Sequence, residues 1–467
     1  MADLDLDDIQ GLIVRGYRKP TARHLLLRID RREAFRAMLG DLATEDRASG
    51  PYITVAADWI DKPPAGVKAT HCVNIGFSYE GLKALGLPSS SLESFPEEFG
   101  QGAVARAAEV GDTGPSAPEH WAPSLLSPAA HVLLSVFADS PEELESVSAD
   151  LRGRAGRGAA TELDRFDARA LPGEVAHFGY RDGLAQPTIE GLPMAGLPDP
   201  FPLSPPGEFL LGYPSQHAGF TFPVPEPEAL GRNGSFGAFR ILEQDVHAFE
   251  RFLTEESERA GIDRELLAAK IVGRWRNGVP LTMSPDTYSP SPPIPQEQLN
   301  CFDYVKTAAV EQDYDDPKGL TCPVGAHIRR ANPRSQPVAG GGGLTHRIVR
   351  RGLPYGPPYD PHHPDDGQER GLVGMFIGVS IRDQFEFVMS EWLNDGIFAA
   401  GLGRTKDPLI GANEPHESRF AIPGTTPVQM AGFSRFVTTR GGAYCFLPSM
   451  TALRHMADQT GEEVTGP

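Results

Sequence analysis

Three short segments gather side chains able to do acid–base and metal chemistry. The first, CPVGAHIRRANPR (322–334), sets His327 behind Gly325 and Ala326 and ahead of Arg329, Arg330 and Arg334. A neutral imidazole is a good axial ligand for haem iron, small residues beside it let a flat ligand approach, and guanidinium groups nearby would pair with propionates. The second, HFGYRDGLAQP (177–187), holds Asp182 between Arg181 and Gly183, directly after a stretch that reads as a strand. A carboxylate at a strand end facing a pocket can take a proton from one peroxide oxygen and return it to the other. The third, HRIVRRGLPYGPP (346–358), carries Arg347, Arg350 and Arg351. Strand alternation turns Arg350 and Arg351 to opposite faces, and an inward guanidinium would stabilise the negative charge that develops as an O–O bond breaks. Each segment also has a plainer reading: one core or surface histidine among 13, a tight Asp-Gly turn, a solvated basic strand.

The elements that must position these residues follow from the apolar pattern. In the first half, HLLLRI (24–29) reads as a strand, REAFRAML (32–39) as a helix with one apolar stripe, VKATHCVNIGFS (67–78) as a strand and AHVLLSVFA (130–138) as a third. Ser140-Pro141-Glu142-Glu143 supplies an N-cap, a first-turn proline and a capping glutamate, so a helix is expected over 141–153, and EVAHFGY (174–180) closes the set. The second half repeats the plan with larger insertions: SFGAFRIL (235–242) and LVGMFIGVSI (372–381) are strand-like, DVHAFERFL (245–253) and QFEFVMSEWL (384–393) helical, and AYCFLPS (443–449) a closing strand. Two copies of a βαββαβ unit account for this order, an α+β fold with antiparallel sheets and surrounding helices. The expected division is a module over 1–191 carrying Asp182, a Pro/Gly-rich connector over 192–232, and a module over 233–467 carrying His327 and Arg350.

Composition narrows the partners. The formal charge of −19 argues against nucleic acid and anionic membranes, and no stretch approaches the ~20 apolar residues of a membrane span. Cys72, Cys301, Cys322 and Cys445 lack CxxC spacing, which indicates neither a zinc ribbon nor covalently attached haem and fits a reducing compartment. The amino terminus is acidic and lacks the apolar run of an export signal, so a cytoplasmic location is expected. His362, His363, Asp365 and Asp366 could bind a metal such as manganese, but a solvated loop is the commoner outcome for such a stretch.

Taken together, GYRDG (179–183), with its GxxDG pattern, and His327 with Arg330, with an HxxR pattern, resemble the dye-decolorizing peroxidases; GYRDGLAQP, CPVGAHIRRANPR and RIVRRGLPYG are similar to that family at its distal acid, proximal histidine and distal arginine, in the same chain order. The similarity extends through GEFLLGYP, IVGRWRNGVPL and RGGAYCFLPS, over nearly the whole chain, and the length is similar to the larger bacterial and fungal-like subgroups. The resemblance implies tandem ferredoxin-like modules of the dimeric α/β-barrel type, with one non-covalent haem b in the second. It implies His327 as iron ligand, Asp182 as acid–base, Arg350 as charge stabiliser, Arg330 as propionate partner, and Leu372 and Phe376 as apolar wall. The implied activity is reduction of hydrogen peroxide with oxidation of organic donors, extending in some readings to Mn(II), through a ferryl-porphyrin radical; the alternative is a haem-handling protein of deferrochelatase type. Some members orient the proximal imidazole with an acid just before the closing strand. Here that stretch reads SRFVTT and includes Arg435, so no partner for His327 is assigned, and the oligomeric state is left open.

Overall fold

The computed structural model describes residues 4–458 apart from 45–49, 61–68, 193–202, 218, 309, 311, 340–342, 365 and 398, with the side chains of 59 and 60 also outside the description. Before residue 192 it contains β1 (Thr21–Ile29), β2 (His71–Phe77), β3 (Val132–Ala138) and β4 (Ala160–Arg169). After residue 233 come β5 (Ser235–Gln244), β6 (Val349–Tyr355), β7 (Gly371–Gly378), a small hairpin of β8 (Arg419–Ile422) and β9 (Val428–Ala431), and β10 (Val437–Leu447). The eight long strands form one antiparallel sheet in the order β4-β1-β3-β2-β10-β5-β7-β6. Each half follows the same 4-1-3-2 order, which makes it two ferredoxin-like βαββαβ units joined edge to edge.

Capping chemistry fixes the helices that cover this sheet. Ser140 accepts a hydrogen bond from the Glu143 N–H ahead of the helix Pro141–Ala155, and Asp245 does the same for Ala248 ahead of Val246–Ala260. The second helix ends on Gly261, whose φ of +65° is the left-handed turn that glycine adopts without strain. Apolar residues on the other face of the strands, among them Leu26, Phe137, Phe239, Met375 and Leu447, form a core enclosed by the curling sheet. The end strands β4 and β6 approach each other, and Phe166 of β4 packs on Phe239 of β5 at 5.7 Å. β10 runs along the full length of β5 and meets β2 at Phe446 and Phe77, so the last strand is the seam between the two units.

Two sequence expectations change. The fourth strand is β4, not 174–180. Its residues ATELDRFDAR are mostly polar, and the pairing with β1 shifts between Leu26 and Leu27, leaving Leu163 as the extra residue of a bulge that breaks the two-residue period. Segment 174–181 is a turn held by a Val175–Arg181 bridge, so Asp182 follows a turn rather than a strand. The helix expected over 384–393 extends over residues 381–393 and is wound with π geometry as Ile381–Glu386 and Val388–Leu393, a winding that occurs in short pieces and frequently beside functional sites. No helix among the described residues is long and apolar enough to cross a membrane.

Candidate active site

His327 opens the helix His327–Ala331, and its Nδ1 lies 3.0 Å from Oδ2 of Asp407. Asp407 is fully buried, and its other oxygen accepts the N–H groups of Leu409 and Ile410 at 2.9 and 2.8 Å. Burial pushes the Asp407 carboxyl up, but the facing His327, the Ile410 N–H and the Arg330 charge outweigh it and hold the group below the usual carboxylate range. A carboxylate there accepts a hydrogen bond from Nδ1–H and leaves Nε2, which makes no hydrogen bond among the described residues, as the ring nitrogen available to the cavity that His327 lines. Asp407 is therefore the orienting partner the sequence did not reveal. Arg435, in the stretch compared with the family's acid, lines the same cavity instead.

That cavity has a volume of ≈ 330 Å³ and is lined by Asp182, Arg350, Leu372, Phe376 and His327 together. Asp182 sits on the loop after the 174–181 turn, where its N–H donates to Glu174 O and its Oδ1 accepts the Gly183 N–H at 2.7 Å. Arg350 sits on β6 opposite Phe376 of β7 and donates from Nη2 to Ala185 O at 2.9 Å. Both Asp182 and Arg350 are exposed, whereas Arg351 is buried and donates to Leu12 O and Ile13 O. Alternation along β6 separates the two arginines as expected, yet the residue turned away from Arg350 is not solvated.

Arg330 departs from the expectation. It is fully buried and absent from the cavity wall, and its guanidinium donates to the carbonyls of Gly325, Trp392, Asp395 and Thr405 and to Thr405 Oγ1. A guanidinium has five N–H donors, and five acceptors already surround this one, so it has nothing to offer a propionate. Arg329 is likewise occupied, by Asp316, Cys322 O and Gln336. Of the arginines in that segment only Arg334 lines the cavity, where it also donates to Asn300 O and Phe302 O and stacks on Phe302. Gly325 packs away from the cavity too: a Cβ there would meet Leu402 and Phe420 at 3.3 Å, so its smallness serves protein packing. In the loop read as a candidate metal site, His363 pairs with Asp360 and Asp366 with Arg370, and no group of three or more His, Cys, Asp or Glu gathers to hold a metal among the described residues; Asp365 lies outside them.

The residues present fit a haem. An imidazole with one nitrogen tied to a buried carboxylate is the expected donor, and the walls contributed by Ile328, Val388, Leu393 and Ile410 are apolar. Arg240, Arg274, Arg334, Arg347, Arg350, Arg351 and Arg435 outnumber the acids Asp112 and Asp182 along the wall, matching a ligand with two carboxylates. Among the described residues, Nε of Arg435 is buried without a hydrogen-bond partner.

Comparison with known proteins gives the same direction. Residues 8–172 match the model of the DyP dimeric alpha+beta barrel domain. The chain is 30% identical to dye-decolorizing peroxidase msp1 of Mycetinis scorodonius, covering 97% of this chain and 88% of that protein. It is 30% identical to the multifunctional dye peroxidase DyP2 of Amycolatopsis, over 60% of this chain and 61% of that one. The crystal structure of a fungal DyP-type peroxidase from Auricularia auricula-judae superposes with a TM-score of 0.81 at 26% identity, covering 98% of this chain and all of the other. A dye-decolorizing peroxidase in complex with 2,6-dimethoxyphenol gives 0.79 at 27% identity, over 97% of this chain and all of the other. With a curated relative of that identity matched over nearly all of both sequences and a shared tandem fold, this chain belongs to the dye-decolorizing peroxidase family and is a peroxidase.

Proposed function

We propose that the cavity binds one non-covalent haem b through Nε2 of His327 and reduces hydrogen peroxide there while organic donors, dyes and phenolics, are oxidised. The observation that carries this reading is that Asp182, Arg350 and His327, from three separate segments, line one cavity. Haem, when bound, supplies the electrons that reduce peroxide and the oxidising power that the donors then discharge one electron at a time. Asp182 takes a proton from one peroxide oxygen and delivers it to the other, which leaves as water. Arg350 offsets the negative charge gathering on that departing oxygen. Leu372 and Phe376 keep the same side apolar, which lowers the local dielectric and strengthens both effects. Arg334 and Arg347, which line the cavity, take the propionate role in place of Arg330.

A phenolic donor is supported by the related structure that holds 2,6-dimethoxyphenol. A cytoplasmic workplace is supported by the four free cysteines, three of them buried. The test is rapid mixing with peroxide, monitored at the Soret band. Asp182→Asn and Arg350→Leu should retain haem and slow the peroxide reaction by roughly 10²–10⁴-fold for the proton shuttle, and His327→Ala should lose or loosen haem. Normal peroxide rates in both distal variants, with haem lost in His327→Ala, would leave haem handling as the better reading.

A further inference from the structure

β6 is an end strand of the sheet, so among the described residues no further strand bonds the backbone N–H groups on its outer edge. One of these is the N–H of Arg350. It donates to Oε1 of Gln186 at 3.1 Å, and the same oxygen accepts from Nη1 of Arg351 at 3.3 Å. One residue earlier, Ala185 O accepts from Nη2 of Arg350 at 2.9 Å. The loop that carries Asp182 is thus tied to Arg350 at its side chain through residue 185 and at its backbone through residue 186. Pro187 follows Gln186 and biases it towards extended backbone, which limits the slack in this link.

Behind the link sits Arg351, a buried cation whose hydrogen bonds go to Leu12 O, Ile13 O, Arg350 O and Gln186 Oε1. No carboxylate is among these acceptors. Gln186 therefore gives both arginines one shared acceptor oxygen, and it is this oxygen at this reach, not the amide nitrogen, that holds the geometry.

We infer that Gln186 is a positioning residue for the peroxide reaction: its carbonyl oxygen bolts the Asp182 loop to β6 and sets where Arg350 stands relative to Asp182. The inference rests on the roles proposed above for Asp182 and Arg350. Gln186→Met keeps the length of the side chain and loses the acceptor. Gln186→Asn keeps the amide but falls one methylene short, and Gln186→Glu keeps both reach and acceptor.

The holoprotein variants are compared by steady-state peroxide kinetics and by the rate of cyanide association with the ferric protein, followed at the Soret band. Gln186→Met and Gln186→Asn should lower kcat/KM for peroxide by about tenfold, the loss of one ordinary hydrogen bond from the reacting geometry. The cyanide rate should fall in parallel, while haem content and the KM for an organic donor stay unchanged. Gln186→Glu should recover to within about threefold. Unchanged peroxide kinetics in Gln186→Met overturn the inference, and so does a Gln186→Glu variant as impaired as Gln186→Met. Should Gln186→Met fail to fold, Gln186→Asn carries the same test, because its amide keeps the part-buried position polar. Asp182→Asn run alongside separates the two levels: if it is slow and Gln186→Met is not, only the positioning role fails, and if both are fast the roles proposed for the distal pair fail.

Discussion

Replacing Asp407 by Asn tests the proximal side of the site through hydrogen-bond direction alone. The carboxylate accepts three hydrogen bonds: His327 Nδ1 at 3.0 Å, Leu409 N–H at 2.9 Å and Ile410 N–H at 2.8 Å. Asparagine has the same shape but one acceptor oxygen and one donating NH2. With the oxygen towards Leu409 and Ile410, the NH2 faces Nδ1; in the reverse orientation the NH2 faces two backbone donors. One mismatch costs less than two, so the first orientation is adopted. Nδ1 must then become the acceptor, and the single imidazole proton moves to Nε2, the nitrogen needed by a metal. A protonated nitrogen has no lone pair to give, so haem retention pays for the tautomer change. The expected effect is a 10–100-fold weaker hold on haem, or about 1.4–2.7 kcal/mol. Transfer of haem to an excess of apo-globin, followed at the Soret band, measures it, with circular dichroism to show that the fold persists. A haem dissociation constant within twofold of the unmodified protein would refute the reasoning.

Other expectations follow from groups outside that contact. Arg330→Met should destabilise the protein by roughly 3 kcal/mol or more, because it strands the buried carbonyls that the guanidinium satisfies; denaturant melts of the haem-free protein should already show the loss, which a propionate partner would not produce. Glu208 is fully buried, its Oε2 has no hydrogen-bond partner among the described residues, and burial raises its carboxyl to about 7 against the hydrogen bond from Gln216 N–H. Its folded value lies above the unfolded one, so the unfolded chain holds fewer protons between them and stability falls as pH rises from the unfolded value to about 7; Glu208→Gln should remove that slope and stabilise the protein by about 1–3 kcal/mol at pH 8, as urea melts at pH 5 and pH 8 would show. Gly374→Ala sets a methyl 2.1 Å from Arg351 O on the neighbouring strand, so β6 must shift and carry Arg350 with it; peroxide reactivity and melting temperature should fall together.

The convergence of the candidate residues was legible because their types are uncommon in combination: a histidine after a Gly-Ala pair, an Asp-Gly turn preceded by arginine, and a strand with adjacent arginines all line one cavity. Asp407 was not legible. It lies 80 residues beyond His327 in an irregular loop, and proximity across that distance leaves no spacing to read. The available clue was local: an Asp whose oxygen takes the N–H groups two and three residues on is a turn-forming acid, and Asp-Pro in a loop often marks one. Arg330 misled for the opposite reason, since its position in an HxxR pattern describes chain spacing and says nothing of the carbonyls that converge on it. Apolar strands such as β3 and β7 read directly from their runs, whereas β4 did not, because a bulge and a polar outer face removed both cues.

The seam made by β10 also sets a timetable. Synthesis proceeds from the amino end, so β10 leaves the ribosome after every other described strand of the sheet, and Val437 and Thr439 on it contribute to the cavity wall. A nascent chain that stops short of residue 437 already contains His327, Asp182 and Arg350 but lacks that part of the wall. Completion of the cavity thereby waits for β10, and, on the haem role proposed above, chains truncated before residue 437 should be recovered without pigment.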